Sequence, residues 1–203
     1  MKYKAIIYDI DGTLLDTLAM NFYPLIQIVK EELDKDISYD EALQYACYSG
    51  LKTMELLGIK DIEKTYARWV QYVNAYPGGA RVYDGIDEVL KKVNIKQGIA
   101  SSKRKEQYII DFVSKGLDQY IDAVVLMEDT AFHKPDPQPL LLCLEKLQVE
   151  AKDAIYIGDN YSDYLAAKNA HMDFGYASWG ASDLKDLKAT YIFNKPLDIL
   201  NIL

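Results

Sequence analysis

KAIIYDIDGTLLDT, residues 4–17, opens on a short apolar run, ends that run on two acids one residue apart, and follows them with Gly-Thr. The portion from Lys4 to Ile10 is rich in β-branched and aromatic side chains and reads as a strand. In extended chain, residues i and i+2 share a face, so Asp9 and Asp11 could point the same way, although the chain could be leaving strand geometry by Asp11. Strand ends are commonly polar and Asp-Gly is a strong turn signal. By itself the stretch therefore leaves two readings open, a polar strand end or a carboxylate pair built for chemistry.

Working outward, similar strand-like runs recur at 96–101 (KQGIAS), 122–127 (DAVVLM), 153–159 (DAIYIGD), 173–178 (DFGYAS) and 189–193 (ATYIF). Between and after them, Ser102 to Lys115, Pro139 to Leu147, Tyr161 to Ala170 and Pro196 to Ile202 carry apolar residues at three-to-four spacing. Such alternation of strand and helix predicts an α/β fold, a doubly wound parallel sheet covered by helices on both faces. The first gap differs. From Leu14 to about Val93 no convincing strand is visible, only helical segments such as LAMNFYPLIQIVKEEL, YDEALQYACYSG and IEKTYARWVQYVNAY. A simple crossover needs only about 30 residues, so the excess predicts a helical cap, residues 17–80, inserted after strand one into a core of 1–16 and 81–203. The chain returns near YPGGARVYDGI, where Pro77, Gly78 and Gly79 punctuate it, and the insertion is expected to act as a hinged lid.

Half of the 203 residues are hydrophobic, enough for a substantial core. A net charge of -8 argues against nucleic acid as a partner, since phosphate-backbone binding draws on clustered Lys and Arg. The apolar stretch at the amino end is too short for a signal-peptide core, and no run approaches the roughly 18 apolar residues of a membrane span. Cys47 and Cys143 sit far apart in apolar helical patterns and read as buried thiols. The expectation is a soluble cytoplasmic protein, with no membrane partner, as monomer or homodimer.

Ligands of open parallel sheets bind beyond the carboxyl ends of the strands, and four polar clusters fall there. Asp9 and Asp11 follow strand one, Ser101, Ser102 and Lys103 follow strand two, HKPDP with Lys134 follows strand three, and GDNYSD with Asp159 and Asp163 follows strand four. Two close carboxylates repel, which a divalent cation between them would relieve. Hard oxygen ligands suit Mg²⁺, with Asp159 as the obvious further ligand. A carboxylate kept ionised beside Mg²⁺ could attack phosphorus to give an aspartyl-phosphate, with Asp11 serving first as acid and then as base. Gly12 would let the backbone turn sharply under the phosphate.

Each cluster also has a plainer explanation. Ser101 or Ser102 could cap the helix that follows, with the helix N-terminus and the Ser101 hydroxyl forming an anion site, while Lys103 reads as a solvated first-turn residue. A loop lysine is usually solvent-facing, yet Lys134 could balance the acids and the transferring phosphoryl group. His133 reads as loop structure, and Pro135 and Pro137 stiffen that loop. Asp159 and Asp163 suit a helix N-terminus as well as a metal, with Asp163 accepting bonds from metal-bound waters or from Lys134.

DIDGTLLDT, GIASSK, HKPDP and GDNYSD, in this order, resemble the motifs of the haloacid dehalogenase-like (HAD) hydrolase superfamily. The tail FGYASWGASDLKDL with ATYIFNKPLDILNIL, and the insertion after strand one, are similar to phosphoglycolate-phosphatase-like members. The resemblance implies Asp9 as nucleophile and metal ligand, Asp11 as acid/base lending its backbone carbonyl to Mg²⁺, and Asp159 on the metal with Asp163 beside it. It also implies Ser101 on the phosphate, and Lys134 on both nucleophile and phosphate. The implied activity is hydrolysis of a small phosphorylated metabolite, with the cap choosing the organic group; Tyr45, Tyr48, Lys52, Arg68 and Tyr72 are candidates to face the site. Family dehalogenases lack an acid at the place of Asp11, which disfavours dehalogenation. A β-phosphoglucomutase-type phosphomutase is the close alternative, lowered because LDTLAMNFY lacks the histidine such enzymes carry there. The third alternative is a non-catalytic phosphate-ligand-binding protein, which degenerate motifs would mark.

Overall fold

The computed structural model describes residues 2–46, 48–180 and 187–203. The chain divides into two compact units, Met1–Asp16 with Val82–Leu203, and Thr17–Arg81. The first unit is built on strand β1, Ala5–Tyr8, whose four side chains are all buried. Side chains on both faces of β1 are buried, which is why it is an unbroken apolar run.

A two-residue strand β2, Leu15–Asp16, follows the acidic loop and leads to the helices α1 (Leu18–Leu33), α2 (Tyr39–Leu43), α3 (Gly50–Leu56) and α4 (Ile62–Asn74). A two-residue strand β3, Arg81–Val82, then forms a small sheet with β2. These strands correct the expectation that no strand lies between Leu14 and about Val93: two residues are too few for an alternation to register. The remaining elements are α5 (Ile86–Lys92), β4 (Lys96–Ala100), α6 (Lys105–Asp111), β5 (Ala123–Val125), α7 (Gln138–Leu147), β6 (Ala154–Gly158), α8 (Tyr161–Asn169), β7 (Asp173–Ala177) and β8 (Tyr191–Phe193). The chain ends in a 3-10 helix, Pro196–Ile202, where the spacing predicts an ordinary helix. Short terminal pieces that begin at a proline commonly take the tighter winding.

The six-stranded sheet has the order β5-β4-β1-β6-β7-β8, with every recorded pairing parallel. β1 lies between β4 and β6, in register Tyr8↔Ile99 and Tyr8↔Ile157. The chain builds outward from β1 on one side and then crosses to the other, so the crevice beyond the carboxyl ends of β4, β1 and β6 is the topological switch point where ligands bind in such sheets. On one face, Leu140, Cys143, Leu144 and Leu147 of α7 and Ala166 and Ala167 of α8 pack against Ile7, Tyr156 and Phe174 of the strands. Cys143 is thus a buried thiol, pushed up to about 12 chiefly by its burial; Cys47 lies outside the described residues.

The helical unit has its own core of Phe22, Leu25, Ile28, Ala42, Met54 and Ile59. Its α4 is tied to α1 by Trp69, whose indole N–H donates to Asn21 O at 3.0 Å, three residues before Pro24. Arg68 pairs with Glu32 and with Glu31 (3.5 Å), and the Tyr72 hydroxyl reaches Glu31 (3.2 Å). Among the described residues, no helix is long and apolar enough to cross a membrane.

Candidate active site

Asp9 is the first residue past β1, and its N–H still donates to Ile157 O at 2.9 Å, so the ladder to β6 continues one step and fixes Asp9 at the carboxyl edge of the sheet. The chain then leaves strand geometry: the N–H groups of Thr13, Leu14 and Leu15 all turn back to Ile10 O. The side chains of Asp9 and Asp11 consequently find different partners, although they lie near enough for their charges to interact.

Asp9 meets Lys134, from the loop between β5 and α7. Lys134 Nζ stands 3.0 Å from Asp9 Oδ1, an ion pair that lacks hydrogen-bond alignment, and 2.6 Å from Asp163 Oδ1, where it makes a charge-assisted hydrogen bond. All three side chains are nearly sealed from solvent, at 6, 5 and 0 % exposure for Asp9, Lys134 and Asp163. The loop lysine is therefore a buried cation and not a solvent-facing one. Lys134 also donates to Tyr156 Oη at 3.0 Å, and that hydroxyl lies 2.9 Å from Ala100 O and 3.1 Å from Asp163 Oδ1. Its single hydrogen serves one of those two acceptors, linking the ends of β4 and β6.

Asp163 is fixed from behind by a capping box at the start of α8. Asn160 Oδ1 accepts from Asp163 N at 3.1 Å, and Asp163 Oδ2 accepts from Asn160 N at 3.2 Å. The plain explanation and the chemical one thus coincide in one side chain: Asp163 caps its helix with one oxygen and faces Lys134 with the other.

Asp159 completes a buried acidic triad, in which carboxylate oxygens of Asp9, Asp159 and Asp163 lie within 4.8 Å of one another. Two glycines let the backbone close on it. A Cβ at Gly12 (φ +79°) would collide with the Asp159 carboxylate, and a Cβ at Gly180 would collide with Asp159 Cβ and with Gly12 O. Gly12 is needed for this close approach as well as for its turn. Trp179 braces the same loop by donating from Nε1 to Thr13 O at 3.0 Å.

Among the described residues, three carboxylates stand with one ammonium here, and this set of hard oxygen donors suits a divalent cation such as Mg²⁺. Burial pushes the Asp9 carboxyl up to about 6, opposed by the Lys134 ammonium and assisted by the charges of Asp163 and Asp11. Burial also disfavours the Lys134 ammonium, but Asp163 and Asp9 hold it protonated, above the ordinary lysine range. Burial, followed by the charges of Asp163 and Asp9, pushes the Tyr156 phenol well up, so it stays protonated.

The carboxylate of Asp11 stands outside the triad. Its Oδ1 lies 3.0 Å from Lys103 Nζ, which pairs in turn with Asp111 Oδ2 at 2.7 Å. Two expectations are corrected here. Lys103 is buried, not a solvated first-turn residue, and neither Ser101 nor Ser102 caps α6, which begins only at Lys105 with Arg104 at its cap position. The Lys105 N–H is taken by Glu128 (3.1 Å), from across the β5 end. Ser101 is buried at the end of β4, its N–H bound to Val125 O (3.0 Å) and its Oγ accepting from Lys103 N (3.3 Å). Its hydroxyl hydrogen is thus its remaining donor toward an anion.

Tyr156, Asp111 and the Trp179-Gly180 pair escape the sequence reading, and Lys103 enters it only as a solvated residue of the second cluster. A tyrosine within an otherwise aliphatic strand run, IYIG, was one available signal, and WG directly after the fifth strand-like run was another. Asp111, within a helix and ten residues from the motif serine, carries no local signal at all.

The model of the family described as haloacid dehalogenase-like hydrolase matches residues 6–177. The chain belongs to this family. Pyrophosphatase PpaX of Bacillus velezensis is 28% identical over 212 residues, covering 99% of this chain and 96% of that protein. A crystal structure from Lactobacillus plantarum, of a protein provisionally assigned as a phosphoglycolate phosphatase, superposes with a TM-score of 0.92 at 29% identity, covering 100% of both chains. A β-phosphoglucomutase from Clostridium difficile superposes with a TM-score of 0.82 at 18% identity, over 97% of this chain and 93% of that one, which shows the shared fold alone. The chain is thus a hydrolase of the phosphatase kind within this family.

Proposed function

We propose that this protein is a Mg²⁺-dependent phosphatase that hydrolyses a small phosphorylated metabolite through an aspartyl-phosphate on Asp9. The observation that carries this reading is the buried contact of Lys134 with Asp9 and Asp163 beside Asp159: a cation-stabilised carboxylate, at a switch point, within a set of hard oxygen donors that suits a divalent ion. Asp9 and Asp159, with the main-chain carbonyl of Asp11, would hold Mg²⁺. When bound, it offsets the negative charge that Asp9 and an incoming phosphate bring together.

Asp9 attacks phosphorus with one carboxylate oxygen. Lys134 stabilises both that carboxylate and the charge of the transferring phosphoryl group, and the Ser101 hydroxyl donates to a phosphoryl oxygen. Asp11 protonates the leaving oxygen, then takes a proton from the water that opens the aspartyl ester, which returns Asp9 and releases phosphate. The names of relatives support two substrate classes, phosphomonoesters of small acids and inorganic pyrophosphate.

Purified protein assayed for phosphate release from 4-nitrophenyl phosphate, 2-phosphoglycolate and pyrophosphate, with Mg²⁺ and with chelator, tests the reading. Metal-dependent turnover is expected, and Asp9→Asn should lose about 10³-fold or more, equivalent to at least ~4 kcal/mol of barrier. Equal turnover by wild type and Asp9→Asn would end the nucleophile assignment.

A further inference from the structure

Lys103 is among the least expected side chains of the core unit. It leaves the chain two residues after Ser101, its side chain is only 5 % exposed, and its backbone is pinned on both sides, N–H to Ser101 Oγ at 3.3 Å and C=O to Met127 N at 3.1 Å. A buried ammonium needs a partner, and Asp111 of α6 supplies one at 2.7 Å, itself buried and held by Gln107 Nε2 at 3.3 Å. That pair alone would balance the charge and dock α6 onto the end of β4. Yet Lys103 Nζ also stands 3.0 Å from Asp11 Oδ1.

The second contact is what a docking role leaves unexplained. Asp11 is bridged to Leu15 just ahead of the turn, and its side chain is 34 % exposed, in contrast to the sealed Asp9 and Asp163. Lys103, by contrast, is immobilised by burial and by Asp111, so its contact with Asp11 Oδ1 sets where that oxygen points. Because Asp111 occupies one N–H and offsets part of the charge, Lys103 presents to Asp11 a fixed, directional, charge-assisted donor.

We infer that Lys103, anchored by Asp111, is a positioning residue for Asp11: it engages Oδ1 and so turns Oδ2 into the oxygen that carries the transferred proton. This rests on the acid/base part assigned to Asp11 above. It makes α6, through a residue with no place in the four sequence clusters, part of the machinery for leaving-group departure. Holding an acid in its working geometry is the kind of effect that raises the chemical rate without adding a contact to substrate.

The test uses leaving-group dependence of kcat/KM, which reports steps up to departure of the leaving group. An alkyl phosphate such as 2-phosphoglycolate needs a proton on its leaving oxygen, while 4-nitrophenolate leaves largely unaided. Lys103→Met/Asp111→Leu removes both buried charges together and leaves none unpaired. We expect it to lose at least about tenfold more kcat/KM on the alkyl than on the aryl phosphate, a fraction of the 10²–10⁴-fold that general acids contribute. Asp111→Asn, in which Lys103 still has Asp11 as its counter-ion, should show the same split in smaller measure and serves if the double variant does not fold. Equal losses on both substrates in these variants, while Asp11→Asn shows the split, would overturn the inference alone. No split in Asp11→Asn would overturn the acid assignment, and the inference with it.

Discussion

Asp9 carries most of the chemistry assigned to this protein, and its surroundings make a definite statement about pH. Burial lifts its carboxyl from an ordinary 3.8 to about 6 in the absence of metal. Between those values the folded chain holds a proton that the unfolded chain has released, so the Asp9 contribution to stability declines as pH rises from about 4 through about 6. Mg²⁺ must displace that proton. Its affinity, measured by titration calorimetry, should therefore be level above pH 6 and fall by about tenfold per pH unit below it, with a proton released on binding. An affinity unchanged between pH 7 and pH 5 would show that Asp9 is not a ligand. At this scale the sequence is legible where a residue type is unusual for its place: Asp9, Lys134, Asp159 and Asp163 are singled out by their positions after strands, and they stand together. Lys103 is not legible. A lysine after Ser-Ser looks like any solvated helix start, and Asp111, brought near by the winding of α6, together with Asp11 makes its burial tolerable.

The elements that carry these residues are short, and their ends do the positioning. α8 is held at its start by the reciprocal bonds of Asn160 and Asp163, so the same interaction stabilises the helix and aims a carboxylate at Lys134. Asn160→Ala should cost about 1 kcal/mol in urea unfolding, as loss of an N-cap does. It should also lower turnover, whereas an equivalent cap loss within the helical unit, Ser38→Ala at α2, should lower stability alone. α6 shows the opposite arrangement: its first N–H finds Glu128 from another part of the chain, leaving the nearby serines free of capping. Each of the six strand-like runs contains a strand of the main sheet, because period and β-branched content are local properties. The two-residue strands β2 and β3 escape notice because their pairing, not their composition, defines them. The last predicted helix winds as 3-10.

Over the whole core unit, the parallel order β5-β4-β1-β6-β7-β8 assembles loops from across most of the chain around one acidic pocket. Such a pocket couples ligand to fold. Mg²⁺ at 100 times its Kd should add about 2.7 kcal/mol to unfolding free energy, read as a rise in Tm. Asp159→Asn should show no such rise, and a metal-independent Tm in wild type would remove the metal from the reading. What the sequence by itself determines is the class of fold and most of the acids and cations of the site, since strand period, apolar spacing and strand-end polarity are set by neighbours along the chain. Tertiary structure alone decides that Asp9 and Asp11 part company, that Gly180 and Gly12 close on Asp159, and that Lys103 turns inward to Asp111 and Asp11. Those outcomes depend on which distant groups share a low-dielectric interior, where a charge must find its partner or remain in water.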